Sequence, residues 1–487
     1  MLNSTAKNGG KNMSEKKPSI VNVLLLSILL LLASVPFASS MTIQDGMKTN
    51  ANSRWDYLVN PKYVPWSYTG GGFLYNTVAE LRAAYDLEPL YDEGITGEGQ
   101  TVVIVDAYGS PTIYEDLIAF DTWHELPWTT MDEVQNHLHI YYPTGKPAFN
   151  PLNWPLSEIG WSIETTLDVC MVHAIAPGAD IALVVASTPA GNVINLAVNY
   201  AITHHLGCVI SQSFGIPEYV LKANNAQIKQ SHYNYWLASQ PEYSITVFAS
   251  TGDDGATNDG PYNNALYPAS DPYCTGVGGT NLFMECSDGY LEGTSAWDGK
   301  YHFGVSYSYE IAGNDYEGMA ADGYPYPSDI VTTGGAMSTW FPLPDWQSGI
   351  TLTLADGTTV TLTGRCTSDV SFDSGVYGGL GPIRYSAYAP WADWYIIGGT
   401  SAGSPFWAAL TALACQAKGG NIGYINPTLY AFYGAYATGA FHDITDGDNT
   451  YPHGGSILGY KATIGWDAPT GIGSPDAAIL VLIMAEW

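Results

Sequence analysis

Four short apolar runs constrain this 487-residue chain most: Val102-Val103-Ile104-Val105, residues 181–185, residues 208–211 and residues 245–249. Each is too short for an ordinary helix and lacks a polar face, as a strand covered on both sides of a sheet must. Helical periodicity fills stretches between and around them, at 78–85, 157–174 and 193–204. Strands alternating with helices predict an α/β fold: a mostly parallel central sheet with helices on both faces, in three αβα layers. The length is ample for one large core.

Two segments interrupt this rhythm. Residues 285–331 are rich in Gly, Tyr, Ser and Asp and read as a surface insertion. Further on, Thr351-Leu352-Thr353-Leu354 and Thr359-Val360-Thr361-Leu362 flank Asp356-Gly357, which predicts a β-hairpin with a type I′ turn. The apolar residues 477–485 are too few to cross a bilayer and read as a last buried helix. At the other end, Lys16 and Lys17 precede an apolar run at 20–32, and Ala38-Ser39-Ser40 offers a cleavage site. Residues 1–40 therefore read as a secretory signal followed by an extension over 41–75. An uncleaved membrane anchor is the competing reading. The six cysteines, Cys170, Cys208, Cys274, Cys286, Cys366 and Cys415, form no C-x-x-C pair, which argues against zinc or thioredoxin chemistry. Both disulfides and buried thiols remain open.

Charge narrows the partners. Acidic residues number 46 and basic ones 16, for a formal charge of −30, yet charged residues total only 13%. The imbalance comes from scarce Lys and Arg. Nucleic acid and anionic membrane surfaces are poor partners for such a chain at neutral pH. A base-poor surface suits acidic water, where carboxylates lose their charge and few cations remain to repel. A halophilic surface, the alternative, usually raises Asp and Glu density as well.

Three motifs could carry chemistry. In Gly399-Thr400-Ser401-Ala402-Gly403-Ser404-Pro405, small residues lead into an apolar helix, with Pro405 expected in its first turn. Ser401 would then meet free N–H groups and a positive potential, which favours acyl transfer but equally fits a plain helix cap. Such a serine needs a base. No histidine motif supplies one; His204-His205 sits in an ordinary helical pattern. Glu164 and Asp168 are four apart on a predicted helix and so share one face. Alone, they would read as a surface pair. Finally, Phe248-Ala249-Ser250-Thr251-Gly252-Asp253-Asp254-Gly255 ends an apolar strand in a turn at the sheet edge where α/β proteins bind ligands. The bland reading there is a simple turn.

Taken in chain order, Glu164/Asp168, then Thr251-Gly252-Asp253-Asp254-Gly255, then Gly399 to Pro405, the three motifs resemble those of the sedolisins, serine-carboxyl peptidases with a subtilisin-like fold. Gly97-Glu98-Gly99, Ser211-Gln212-Ser213-Phe214-Gly215, Tyr267-Pro268-Ala269-Ser270 and Val277-Gly278-Gly279-Thr280 extend the likeness over about 76–478. The resemblance implies a secreted, acid-acting endopeptidase with Ser401 as nucleophile and Glu164 as general base, later acid. Asp168 would orient Glu164, Asp253 would donate to the oxyanion, and Ser213, Phe214 and Gly215 would pair with extended substrate. Glu164 must then be ionised and Asp253 protonated, so activity should fall as pH rises. The resemblance also implies one structural Ca²⁺, held by the carboxylates of Asp443 and Asp467 and the carbonyls of Ile444, Thr463 and Gly465; the family usually has glycine at the position of Thr463. Polypeptide substrates and a monomer are expected, with membrane contact only if the N-terminal apolar run stays. Family members commonly carry a long prodomain, whereas 35 residues separate the expected signal from the family-like start. Two other readings are a tripeptidyl exopeptidase of the same family and a non-catalytic glycan-binding surface protein, the latter prompted by 35 Tyr and 15 Trp.

Overall fold

Seven parallel strands build the central sheet: β1 (Thr101–Ala107), β2 (Leu138–Tyr141), β3 (Asp180–Ala186), β4 (Val209–Gln212), β5 (Thr246–Ser250), β6 (Thr275–Glu285) and β7 (Val370–Asp373). They lie in the order β7-β6-β5-β4-β1-β3-β2. The computed structural model describes residues 56–59, 62–65, 75–150, 155–221, 225–285, 291–292, 306–312, 332–375, 379–388, 392–433, 439–451 and 454–487. The expected signal and most of 285–331 lie outside these.

The four predicted strands coincide with β1, β3, β4 and β5, which are buried almost end to end. Strand periodicity then splits β1. Val103, Val105 and Ala107 join one core with the helices α2 (Gly191–Thr203) and α3 (Asn225–Ser239). Asp106 therefore points to the opposite face. There the helices α1 (Leu156–Ile175) and α4 (Thr400–Lys418) pack together against the sheet. This completes the expected three layers. The C-terminal helix α5 (Ala477–Ala485) packs on α4, as its uniformly apolar sequence requires.

The structure corrects three expectations. Residues Ser306–Ala312, inside the presumed surface insertion, form a strand antiparallel to β6, with Glu310 and Ala312 buried. The hairpin pairs Thr351 with Thr361 and Thr353 with Thr359, as expected. Its turn is not type I′, because that turn needs two positive φ angles and only Gly357 has one. Instead Gly357 N donates to Leu354 O and Leu354 N to Thr358 O, a three-residue loop closed by a left-handed glycine. Lastly, α4 begins at Thr400, so Pro405 lies beyond its first turn.

Cys170, Cys208, Cys274, Cys366 and Cys415 are buried free thiols; Cys286 lies outside the described residues. Among the described residues no helix is long and apolar enough to cross a membrane.

Candidate active site

The site forms where the C-terminal ends of β1, β4 and β5 meet the start of α4. Gly399 caps that helix with φ of 88°, a conformation that disfavours any side chain. A Cβ there would also sit 2.8 Å from Asp253 Oδ2. Glycine thus lets the turn after β5 close onto the helix start, where Thr400 N donates to Asp253 Oδ1 at 2.6 Å. Pro405 has no N–H to give the carbonyl of Ser401 four residues back. That carbonyl is met instead by the hydroxyl of Ser213 at 3.0 Å. The proline thus leaves the Ser401 carbonyl free to be tied to the strand end after β4.

Glu164 and Asp168 project from α1 into this junction, both fully buried. Burial raises the Glu164 pKa well above its usual range. The adjacent Ser401 hydroxyl draws it down, and Asp106 and Asp253 push it up. Neither Glu164 oxygen completes a well-formed hydrogen bond, although the Ser401 hydroxyl is near enough to affect its pKa. Asp168 is likewise raised well above its range by burial, then by Asp106 and Glu164, with Ser213 opposing. Ser213 Oγ lies 2.8 Å from Asp168 Oδ1 as well as 3.0 Å from the Ser401 carbonyl. A hydroxyl carries one hydrogen. Both contacts are full hydrogen bonds at once only when Asp168 is protonated and donates to Ser213.

Sequence reasoning missed Asp106. This residue is fully buried near the end of β1, and burial raises its pKa to about 7, with the Thr165 hydroxyl opposing. It acts electrostatically on both Glu164 and Asp168. The signal was legible: a lone carboxyl closing Val-Val-Ile-Val at the ligand-binding edge of a parallel sheet. The structure brings Ser401, Glu164, Asp168 and Asp253 into one place and adds the carboxyl of Asp106. A cleft of about 350 Å³ opens beside Ser401 and is lined by Ser213, Phe214, Gly215 and Asp253.

Asp443 and Asp467 lie close enough for one to raise the pKa of the other. Gly465 N points at Asp443, and Thr463 N, Thr470 N and the Thr470 hydroxyl donate to Asp467. Burial raises both carboxyls, Asp467 to about 8 with Asp443 adding repulsion. Thr463 is not among the residues with positive φ, so its backbone needs no glycine. Ile444 is buried beside Ala312 and Ala462. The groups seen around the two carboxyls are N–H and hydroxyl donors, while the carboxyls themselves are hard oxygen donors of the kind Ca²⁺ takes. Among the described residues, no group of three or more His, Cys, Asp or Glu side chains converges as a metal site.

A three-layer α/β fold with a serine at a helix start beside buried carboxyls has the form of a subtilisin-like scaffold. In sequence and in fold the chain is similar to members of the sedolisin family. It is 31% identical over 400 residues to kumamolisin of Bacillus sp. (strain MN-32), covering 79% of this chain and 60% of that protein. Over 291 residues it is 30% identical to sedolisin of Pseudomonas sp. (strain 101), covering 58% and 42%. The chain thus spans about three fifths or less of the length of these relatives. Other relatives, from Aspergillus fumigatus, are named tripeptidyl-peptidases. A solved structure of Pseudomonas sedolisin, a serine-carboxyl proteinase, superposes with a TM-score of 0.65 at 24% identity, covering 85% of this chain and 99% of that one. That likeness supports the fold. No protein-family model matches the chain.

Proposed function

We propose that this chain is a secreted serine-carboxyl endopeptidase that works in acid. The observation that carries the reading is Ser401 at the start of α4 with the buried carboxyls of Glu164, Asp168 and Asp106 near it. Ser401 Oγ attacks the peptide carbonyl as Glu164 takes its proton. The C–N bond breaks, Glu164 returns the proton to the leaving amine, and a Ser401 ester remains. Water, deprotonated by Glu164, then attacks the ester and releases the acid while Ser401 regains its proton. Asp253, protonated, would donate to the oxyanion in both stages. Ser213, Phe214 and Gly215 would pair with the extended substrate.

The test is incubation of denatured protein with the purified chain at about pH 3 beside its Ser401→Ala variant. Internal cleavage by the parent alone is expected; equal cleavage by both would end the serine mechanism. Product mapping decides the second reading, since release of tripeptides from the amino end alone would mark the exopeptidase named among the relatives. Asp253→Ala should lower kcat by about 10²- to 10³-fold, the scale of one oxyanion donor. A loss of only stability, with kcat intact, would reduce Asp253 to a helix cap for Thr400.

The carboxylates of Asp443 and Asp467, with carbonyls of Ile444, Thr463 and Gly465, would hold one structural Ca²⁺. Bound, the ion would supply the positive charge that two neighbouring carboxyls lack. At a free concentration of about 100 times Kd it would stabilise the fold by about 3 kcal/mol. Chelator at about pH 6, where these groups can bind metal, should lower the melting temperature by several degrees, and added Ca²⁺ should restore it. An unchanged melting curve would remove calcium from the reading.

A further inference from the structure

The end of α4 away from Ser401 meets the start of β4 at two sulfurs. Cys208 immediately precedes β4, and Cys415 lies in the last turn of α4. The Cys208 thiol hydrogen-bonds to the Cys415 sulfur. Both residues are buried. Backbone bonds hold each side of this contact. Cys208 N donates to Thr101 O at 3.1 Å, which fixes it beside the start of β1. Gly419 N and Gly420 N donate to Cys415 O at 2.9 and 3.1 Å. Next to Cys415, Gln416 Oε1 accepts from Thr96 N at 2.8 Å and Gly97 N at 2.6 Å. The end of α4 is thus tied to the segment that leads into β1, the strand that holds Cys208.

The two thiols are not equivalent. The Cys415 sulfur is held below the usual thiol range first by the hydrogen bond from Cys208, against burial, with Ile422 N–H and the Lys418 charge assisting. Cys208 is raised well above that range by the same bond and by burial. Cys415 is therefore the one that reaches the thiolate, the form that attacks a disulfide. Among the described residues the other buried thiols have charged neighbours where this pair has sulfur: Asp121 and Asp116 near Cys170, Asp271 and Asp369 near Cys274, and Arg365 near Cys366.

We propose that Cys208 and Cys415 form an oxidation site, which a low-molecular-weight disulfide converts into a bond tying α4 to β4. The Cys415 thiolate attacks the oxidant R–S–S–R, forming a mixed disulfide and releasing R–S⁻. Cys208 then gives up its proton, attacks the Cys415 sulfur and expels the second R–S⁻. The oxidant gains two electrons and leaves as two R–SH, with the protons of the two protein thiols. At the site end the same two elements already meet, Ser404 Oγ lying 2.9 Å from Ser211 Oγ and accepting from Gln212 N at 3.2 Å. The new bond anchors their other end and closes a loop of about two hundred residues, which restricts the unfolded chain. The inference does not depend on the peptidase reading.

The test purifies the full chain under reducing conditions and holds it at about pH 8 with glutathione disulfide. A second arm unfolds and refolds the chain in the same mixture, so that burial cannot shield the sulfurs. Alkylation in denaturant, digestion and mass spectrometry then locate each cysteine. A cross-linked peptide joining Cys208 to Cys415 is expected in at least one arm. Both thiols alkylated in both arms, or either one joined to a different cysteine, would overturn the proposal. The oxidised chain should melt about 5 °C above the reduced one, and reductant should remove the gain. A cross-linked chain that melts no higher would refute the tie. Cys208→Ser should trap Cys415 as its glutathione mixed disulfide, because the resolving sulfur is gone. Cys415→Ser should leave Cys208 unmodified.

Discussion

Glu164→Gln should cut kcat by about 10²- to 10⁴-fold with KM nearly unchanged, the scale of one general acid–base group. The substitution keeps the shape of a side chain that is fully buried on α1. It removes only the ability to accept a proton. Ser401 would remain at the head of α4, and the Thr400–Asp253 contact would persist, so substrate binding and oxyanion stabilisation should survive. Glu164 is also raised by burial and repelled by Asp106 and Asp253. An uncharged isostere should therefore make the protein more stable at neutral pH while making it nearly inert. Those opposite signs separate a catalytic group from a structural one. Single-turnover kinetics and thermal melts on the same preparation read both. A variant retaining near-parental kcat would show that another group takes the Ser401 proton.

The sheet was legible because its strands are covered on both faces. Continuous apolar runs such as Val102 to Val105 have few alternatives in a chain this long. β6 was harder to read because Thr275-Gly276-Val277-Gly278-Gly279-Thr280 looks like a loop. Its glycines are small for a reason: a Cβ at Gly278 would lie 2.3 Å from Pro469 O. Close backbone approach overrode strand propensity there. The helix α3 has almost no amphipathic pattern, and its place comes from packing beside α2. At the site, the four predicted side chains were found through ordered motifs. Asp106 stands alone in sequence and gains meaning only when α1 folds over β1. The pairing of Leu58 with Gly215 joins residues 157 positions apart and has no local signature.

The apparent melting temperature should fall, by on the order of 5–10 °C, as pH rises from about 4 to about 8. Burial raises Glu164 and Asp168 well above their usual range, Asp106 to about 7 and Asp116 to about 6. Glu218, Glu310 and Asp369 are raised as well, again by burial first. A carboxyl raised on folding keeps its proton in the native state after the unfolded chain has lost it. Between the two pKa values the native state binds more protons, so stability declines with rising pH. A rise from 3.8 to about 7 corresponds to about 4 kcal/mol for Asp106 once it is ionised. His124 and His442 oppose this, because burial lowers each to about 4 and the unfolded chain takes up their protons first in acid. Two histidines against this many carboxyls leave the net slope negative. Asp106→Asn should flatten part of the decline without removing Ser401 or Glu164. A melting temperature that climbs from acid to neutral pH would mean the buried acids have partners strong enough to hold them ionised.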